Sequence, residues 1–239
     1  MNLNIEKSNK SEFGTILEKS EPKSRPMKII FDKVMPHPLS SIQHGANSIW
    51  GNHAEFSKGE KILLNASSGK GKSTFTFSAV GLRSDYEGEI TYNGEDIRSF
   101  DADRWTEIRA RHLSVVFQDL QLFPELTVAE NLTLKNDLTG TFSDSELKDM
   151  LLYLDIQSKW DQKCRFLSMG QQQRVAIIRA LCQPFDLLIM DEPFSHLDVE
   201  NTNKCLELID QRCDALQAGF VLTTLGEDHG FNYSKTLFL

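Results

Sequence analysis

Long apolar runs are missing from this chain of 239 residues. None approaches the roughly 20 residues that a membrane-spanning helix needs. The opening Met1-Asn2-Leu3-Asn4-Ile5-Glu6-Lys7 also lacks the hydrophobic centre of a signal peptide. Any membrane role is therefore expected to act through a partner chain. Basic residues are in deficit: 26 Lys and Arg stand against 34 Asp and Glu, a net charge of −8. Nucleic-acid backbones select for the opposite balance, so no direct nucleic-acid partner is expected. Cysteine is sparse, at Cys164, Cys182, Cys205 and Cys213, and no two form a close Cys-x-x-Cys pair. That spacing supports neither a metal site nor a redox motif, and leaves buried free thiols in a reducing cytosol as the reading.

What the chain does have is a phosphate-binding pattern. Ala66-Ser67-Ser68-Gly69-Lys70-Gly71-Lys72-Ser73-Thr74 follows the apolar run Lys61-Ile62-Leu63-Leu64 and leads into Phe75-Thr76-Phe77-Ser78-Ala79-Val80. A strand, a small-residue loop ending Gly-Lys-Ser, and a helix form the context of a P-loop. Loop N–H groups and the helix N-terminus face phosphate oxygens. Lys72 would reach the β- and γ-phosphates, and the Ser73 hydroxyl would ligate Mg²⁺. Ala66 stands where glycine is usual, which is tolerable if its φ stays negative.

Along the chain, residues 1–25 are rich in Lys, Glu, Ser and Asn and end at Pro22 and Pro26. They read as a disordered tail, with a docking helix near 13–17 as the lesser option. Strands are expected at 27–31, within 48–56, at 61–64, 89–93, 113–117, 185–190, 219–224 and 235–239. Pro36 and Pro38 should break regular structure. Helices are expected at 127–136, 144–155, 171–181 and 199–216. Ser143 and Glu146 have capping-box spacing, and Leu147, Met150, Leu151 and Leu154 share one helix face. Alternation of strands and helices predicts a mainly parallel sheet covered on both faces.

Asp191 and Glu192 end the apolar run 185–190. Carboxylates at a strand's C-terminal end project into the crevice where open α/β sheets bind ligands. Asp191 suits Mg²⁺, and Glu192 could orient and deprotonate a water near the γ-phosphate.

In order, these motifs resemble the nucleotide-binding subunit of ATP-binding-cassette (ABC) ATPases, over residues from about 27 to 239. Residues 66–74 resemble its Walker A motif, and Val116-Phe117-Gln118 its Q-loop. Leu167-Ser168-Met169-Gly170-Gln171 is similar to the Leu-Ser-Gly-Gly-Gln signature. Leu187 to Glu192 resembles Walker B with the catalytic Glu, and Ser195-His196-Leu197-Asp198 the D-loop. The run 118–132 looks closest to importers and to the lipoprotein-release, macrolide-export and cell-division group.

The resemblance implies a P-loop NTPase (RecA-like) core, an antiparallel β-subdomain, and a helical subdomain at about 119–166. It implies ATP and Mg²⁺ as cofactors, with Ser73, Gln118 and Asp191 on the metal. Ser168, Gly170 and Gln171 would meet the nucleotide of a second cassette, in a homodimer or cassette heterodimer. A separate transmembrane permease subunit would hold the chain at the inner face of the membrane, in the cytoplasm.

Three positions depart from the family pattern. Met169 replaces a signature glycine and would be penalised at positive φ. Leu225 in Thr223-Thr224-Leu225 stands where the family has a histidine, and an aliphatic side chain cannot hydrogen-bond phosphate. His229 could substitute only if its loop folds back. No aromatic aligns as a base-stacking residue. His37 is the best candidate there, and Trp50 reads as packing. A hydrolysis-poor regulatory cassette is the alternative reading. A soluble translation or repair cassette is disfavoured by the acidic charge and by the lack of a long coiled-coil segment.

Overall fold

The computed structural model describes residues 27–239. The expected tail at 1–25 lies outside the described residues. Two sheets share the chain. Strands β1 (Lys28–Pro36), β2 (His53–Ser57), β4 (Tyr86–Tyr92) and β5 (Glu95–Asp96) form an antiparallel sheet in the order β2-β1-β4-β5. Strands β3 (Lys61–Asn65), β6 (Leu113–Val116), β7 (Leu187–Asp191), β8 (Gly219–Thr224) and β9 (Lys235–Phe238) form the second, in the order β6-β7-β8-β3-β9. Every pairing in the second sheet is parallel.

Parallel pairing sets one polarity, so the C-terminal ends of the central strands lie along a single edge. Asn65 is level with Thr224, and Asp191 with Thr223. Both faces of the sheet are covered. Leu188, Met190, Phe220 and Leu222 face one apolar core, and Leu187, Ile189 and Val221 face the other. The alternation follows the two-residue period of a strand. Parallel strands buried on both faces favour continuous apolar runs, seen at 187–190 of β7 and 220–222 of β8, with the polar Asp191, Thr223 and Thr224 only at their C-terminal ends.

The first core is closed by α3 (Val128–Asn136), α4 (Asp144–Tyr153), α5 (Met169–Leu181) and α6 (Val199–Leu216). Thr127, Ser143 and Ser168 each start a helix with a complete capping box. Such a box satisfies two backbone donors that the helix leaves over. The second core lies between the parallel and antiparallel sheets with α1 (Lys72–Ala79) and α2 (Ala102–Arg111).

Several boundaries differ from the sequence expectation. The first strand runs on to Pro36 through a bulge, where Lys33 has φ +52° and the register shifts between Asp32 and Met35. A single 3₁₀ turn, His37–Leu39, then stops it. The strand expected within 48–56 begins at His53, because residues 48–52 form turns closed by Asn52 N–H on the Ile49 carbonyl. Helix α2 was not foreseen. Only Ile108 is buried in it, so it has no apolar stripe, and its one cue is the Asp101 cap on Arg104 N–H.

All four cysteines are free and buried. Burial pushes the thiols of Cys182 and Cys205 up to about 12, so they pack as neutral groups.

Gly219 opens β8 where the chain passes the Glu60 carbonyl. A Cβ there would sit 2.3 Å from Glu60 O, a backbone atom that cannot rotate away. Gly219→Ala is expected to lower unfolding free energy by about 1–3 kcal/mol, the usual cost of overpacking. Denaturant titration checks this, and a loss under about 0.5 kcal/mol would contradict the steric account.

Candidate nucleotide site

The loop between β3 and α1 turns on two glycines. Gly69 has φ +76° and Gly71 φ +98°, values that L side chains rarely adopt. Ala66 is not among the positive-φ residues, and its N–H bonds the Thr224 carbonyl at 3.1 Å. The alanine therefore costs the loop no strain. Trp50 is buried and donates its Nε1–H to the Lys70 carbonyl at 3.0 Å. A Cβ on Gly71 would meet Leu39 Cδ1 at 2.4 Å, so Leu39 and Trp50 brace the loop from outside. Nothing in the local spacing announced that brace. His37 keeps its side chain exposed in the adjoining 3₁₀ turn, with its N–H on the Asp85 carbonyl.

Lys72 is the first residue of α1 and only 6% exposed. Its Nζ lies 3.3 Å from the carbonyl oxygens of Ala66 and Ser67 and 3.2 Å from Glu192 Oε1. Ser73 Oγ donates to Gln118 Oε1 at 3.2 Å. Thr223 Oγ1 donates to Asp191 Oδ1 at 2.8 Å. Residues 66–74, Gln118, Asp191 and Glu192 thus meet at the C-terminal edge of the parallel sheet.

Burial raises the Asp191 carboxyl above the ordinary carboxylate range. The Ser73 and Thr223 hydroxyls and the Lys72 charge only partly offset that rise, and Glu192 adds to it. Ser73, Gln118 and Asp191 offer only oxygen donors, the class that Mg²⁺ takes. A divalent cation there would relieve the poorly solvated Asp191 charge, so the residues present fit one. Glu192 holds φ +49°, an uncommon value for a non-glycine residue, and its N–H bonds the Thr223 carbonyl at 3.3 Å.

Ser168, Gly170 and Gln171 stand elsewhere. Ser168 caps α5, taking Gln171 N–H on Oγ at 3.3 Å and giving its own N–H to Gln171 Oε1 at 3.0 Å. Among the described residues, no hydrogen bond joins them to the 66–74 loop. Met169 begins the helix and is absent from the positive-φ residues, so the strain expected of it does not arise. Gly170 matters more than its sequence suggested. A Cβ on it would lie 2.7 Å from the His196 carbonyl, so glycine lets α5 pack against the 195–198 turn. Gln173 fastens that contact, donating to Ser195 Oγ at 2.9 Å and accepting His196 N–H at 3.1 Å.

A parallel sheet whose C-terminal edge carries a Gly-Lys-Ser loop and a buried Asp-Glu pair defines a P-loop nucleotide-binding protein. The sequence profile of the family described as "ABC transporter" matches residues 51–195. The chain belongs to that family, as its ATP-binding cassette. It is 35% identical over 170 residues to the ABC transporter ATP-binding protein YtrE of Bacillus subtilis, covering 70% of this chain and 74% of that one. It is 32% identical over 186 residues to the lipoprotein-releasing system ATP-binding protein LolD 1 of Chlorobium chlorochromatii, covering 76% of each. A dimeric bacterial ABC transporter cassette superposes with TM-score 0.75 at 26% identity, over 88% of this chain and 94% of that one.

Asp191 holds a charge that burial disfavours, so Asp191→Asn should raise the melting temperature of the nucleotide-free protein. Each 1 kcal/mol gained would read as about 2–4 °C at this size. The folded-state pKa is raised, so the cost is present above it and gone below the unfolded value of about 3.9. The advantage of the variant should therefore vanish as pH falls through about 4. Thermal melts across pH check both, and a destabilised variant at neutral pH would contradict the burial argument.

Proposed function

We propose that this chain binds and hydrolyses ATP and couples the reaction to transport through a separate transmembrane partner. The observation that carries the reading is the meeting of Lys72, Ser73, Gln118, Asp191 and Glu192 at one sheet edge. Residues 66–74 wrap the phosphates with backbone N–H groups, and Lys72 leaves Glu192 for the β/γ-phosphate oxygens. Ser73, Gln118 and Asp191 would hold Mg²⁺, which would neutralise charge on the phosphates. Glu192, freed from Lys72, orients a water and takes its proton. The water oxygen bonds to the γ-phosphorus, the bond to the β–γ bridging oxygen breaks, and ADP leaves with that electron pair.

The signature residues support a composite site. Ser168, Gly170 and Gln171 sit at an exposed helix N-terminus, which suits a γ-phosphate. They do not bond their own chain's phosphate loop, so they serve a second cassette. The bacterial cassette that superposes on this chain is dimeric, and a further structure of it holds ADP and phosphate after hydrolysis.

For the membrane partner, residues 119–166 act as the helical subdomain, consistent with α3 and α4. A groove of about 490 Å³ separates it from the sheet. Leu82, Phe123 and Leu134 line it with more than half their surface exposed. Arg109, Lys135 and Arg179 also line it, and burial lowers the pKa of each. Among the described residues, no carboxylate lines the groove. A short partner helix with an apolar face and an acidic side chain is the occupant this lining suits, and the proposed cassette works on the cytoplasmic side of the membrane. No helix among the described residues is long and apolar enough to span the membrane itself.

A hydrolysis-poor regulatory cassette is the second reading. Leu225, 58% exposed in the position where the family has histidine, is the observation in its favour.

Paired variants test the site. Lys72→Ala should abolish ATP binding, whereas Glu192→Gln should bind ATP, hydrolyse it at least about 10²-fold more slowly, and accumulate a dimer. Wild-type affinity in the first would refute the P-loop assignment, and unchanged turnover in the second would remove Glu192 as the base. The groove has its own test. Lys135→Glu should leave ATP affinity intact and sharply reduce co-purification of the membrane subunit from detergent extracts. Undiminished recovery would exclude this groove as the contact.

A further inference from the structure

The family's histidine is missing at Leu225, but an imidazole reaches the same cavity by another route. After β8, Glu227 N–H bonds Thr224 Oγ1 at 3.2 Å, and Gly226 takes φ +120°. A tight turn follows. Phe231 N–H bonds the Asp228 carbonyl at 3.1 Å, and Gly230 N–H bonds Asp228 Oδ1 at 2.9 Å. His229 sits inside that turn at φ +52°, which non-glycine residues seldom adopt. Strain of this kind persists where surrounding contacts enforce it, often at functional sites.

The turn sets the side chain against Phe194, in the lining of a cavity that Glu192 also lines. The His229 ring meets Phe194 edge-to-face, with centroids 5.3 Å apart and planes at 89°. Phe194 follows Glu192 by two residues. His229 is 17% exposed and lines a cavity of about 320 Å³ together with Glu192, Thr223, Thr224 and Leu225. Leu225 itself stands mostly in solvent. Phe194 holds the imidazole by one edge, and neither ring nitrogen forms a hydrogen bond among the described residues. The nearest carboxylate oxygen, Glu227 Oε2, is 3.7 Å from Nδ1, beyond hydrogen-bond range. A half-buried imidazole with open polar atoms, aimed into a cavity shared with the candidate base, is a poor choice for packing alone.

We infer that His229 supplies, from four residues further along, the hydrogen bond to the γ-phosphate and attacking water that Leu225 cannot make. The inference rests on the hydrolysis reading above. Burial lowers the His229 pKa, which keeps the ring neutral near pH 7 with one N–H donor and one lone pair. It can donate to a phosphoryl oxygen or orient the water without taking a proton. The proton still goes to Glu192, and no bond to His229 forms or breaks. The displacement also explains the loop. Three residues between Leu225 and His229 suffice only because Gly226 and Gly230 permit positive φ at both ends of the turn.

The test uses the full chain and four proteins: wild type, His229→Ala, His229→Gln, and His229→Ala with Leu225→His. ATP affinity is measured by equilibrium binding, and kcat by phosphate release. The alanine variant should keep ATP affinity within about twofold and lose about 10²-fold in kcat, the scale of one oxyanion donor. Glutamine, which retains an N–H donor, should fall between alanine and wild type and shows that the loop folds. Returning an imidazole at position 225 should recover most of the lost kcat. A merely structural histidine would not be rescued from a different backbone position. Turnover of the alanine variant within twofold of wild type overturns the inference, as does lost turnover that the position-225 imidazole fails to restore. Wild-type protein that binds ATP through Lys72 but hydrolyses none would sink the hydrolysis reading as well. Hydrolysis indifferent to His229 sinks only this one.

Discussion

One buried ammonium organises the molecule. Lys72 enters the interior at the first turn of α1, where water cannot solvate it well, and three oxygen partners among the described residues reach it. Two are the Ala66 and Ser67 carbonyls at the start of the loop, and the third is the Glu192 carboxylate. A buried charge without partners costs far more than one that is paired. The geometry of 66–74, the end of β7 and the unusual φ of Glu192 are thus bound to a single requirement. In the proposed mechanism phosphate oxygens would satisfy the same ammonium, so a nucleotide would exchange one anionic partner for another and release Glu192 for the attacking water. The resting ion pair and the proposed catalytic arrangement are two solutions to one electrostatic problem.

The sheet makes that problem soluble in a short chain. Parallel strands end at one edge, so residues far apart in sequence arrive within hydrogen-bond reach. Gln118, Asp191 and Thr223 come from the ends of three strands, and Ser73 from the helix after a fourth. The continuous apolar runs of β7 and β8 are what set this edge, because both faces are buried and no register slip is free of cost.

Much of this was legible in sequence for physical reasons. Gly-Lys-Ser between an apolar run and a helix has few alternative meanings, and Asp-Glu after the apolar run 187–190 must stand at a strand end. The Ser143 and Glu146 spacing announced one helix cap through local chemistry alone, and the structure adds the same box at Thr127 and Ser168. What escaped depended on contacts between distant segments. Helix α2 buries only Ile108, so no periodicity could reveal it. Trp50 braces Lys70 across 20 residues, and Gly170 is required by a carbonyl at His196. Met169 illustrates the converse: the sequence suggested strain at a positive φ, and the helix start avoids it.

The arrangement of α5 explains why half of the chemistry lies outside one chain. Its capping box commits Ser168 Oγ and the Gln171 side chain to each other, and Gln173 ties the following turn to the 195–198 segment. The helix start is rigid before any ligand arrives, which lowers the ordering cost of binding. In the proposed dimer, a second nucleotide would therefore meet a preformed anion site, and the γ-phosphate would be the group that bridges two rigid bodies. Losing it on hydrolysis removes the bridge while leaving each half intact. Helix α5 also carries Arg179, whose guanidinium donates to the Leu120 and Gln121 carbonyls beside the groove. Its N-terminus faces the dimer and its C-terminal turn faces the proposed membrane contact. In the proposed complex this single helix would therefore span from the phosphate contact at one end to the partner contact at the other.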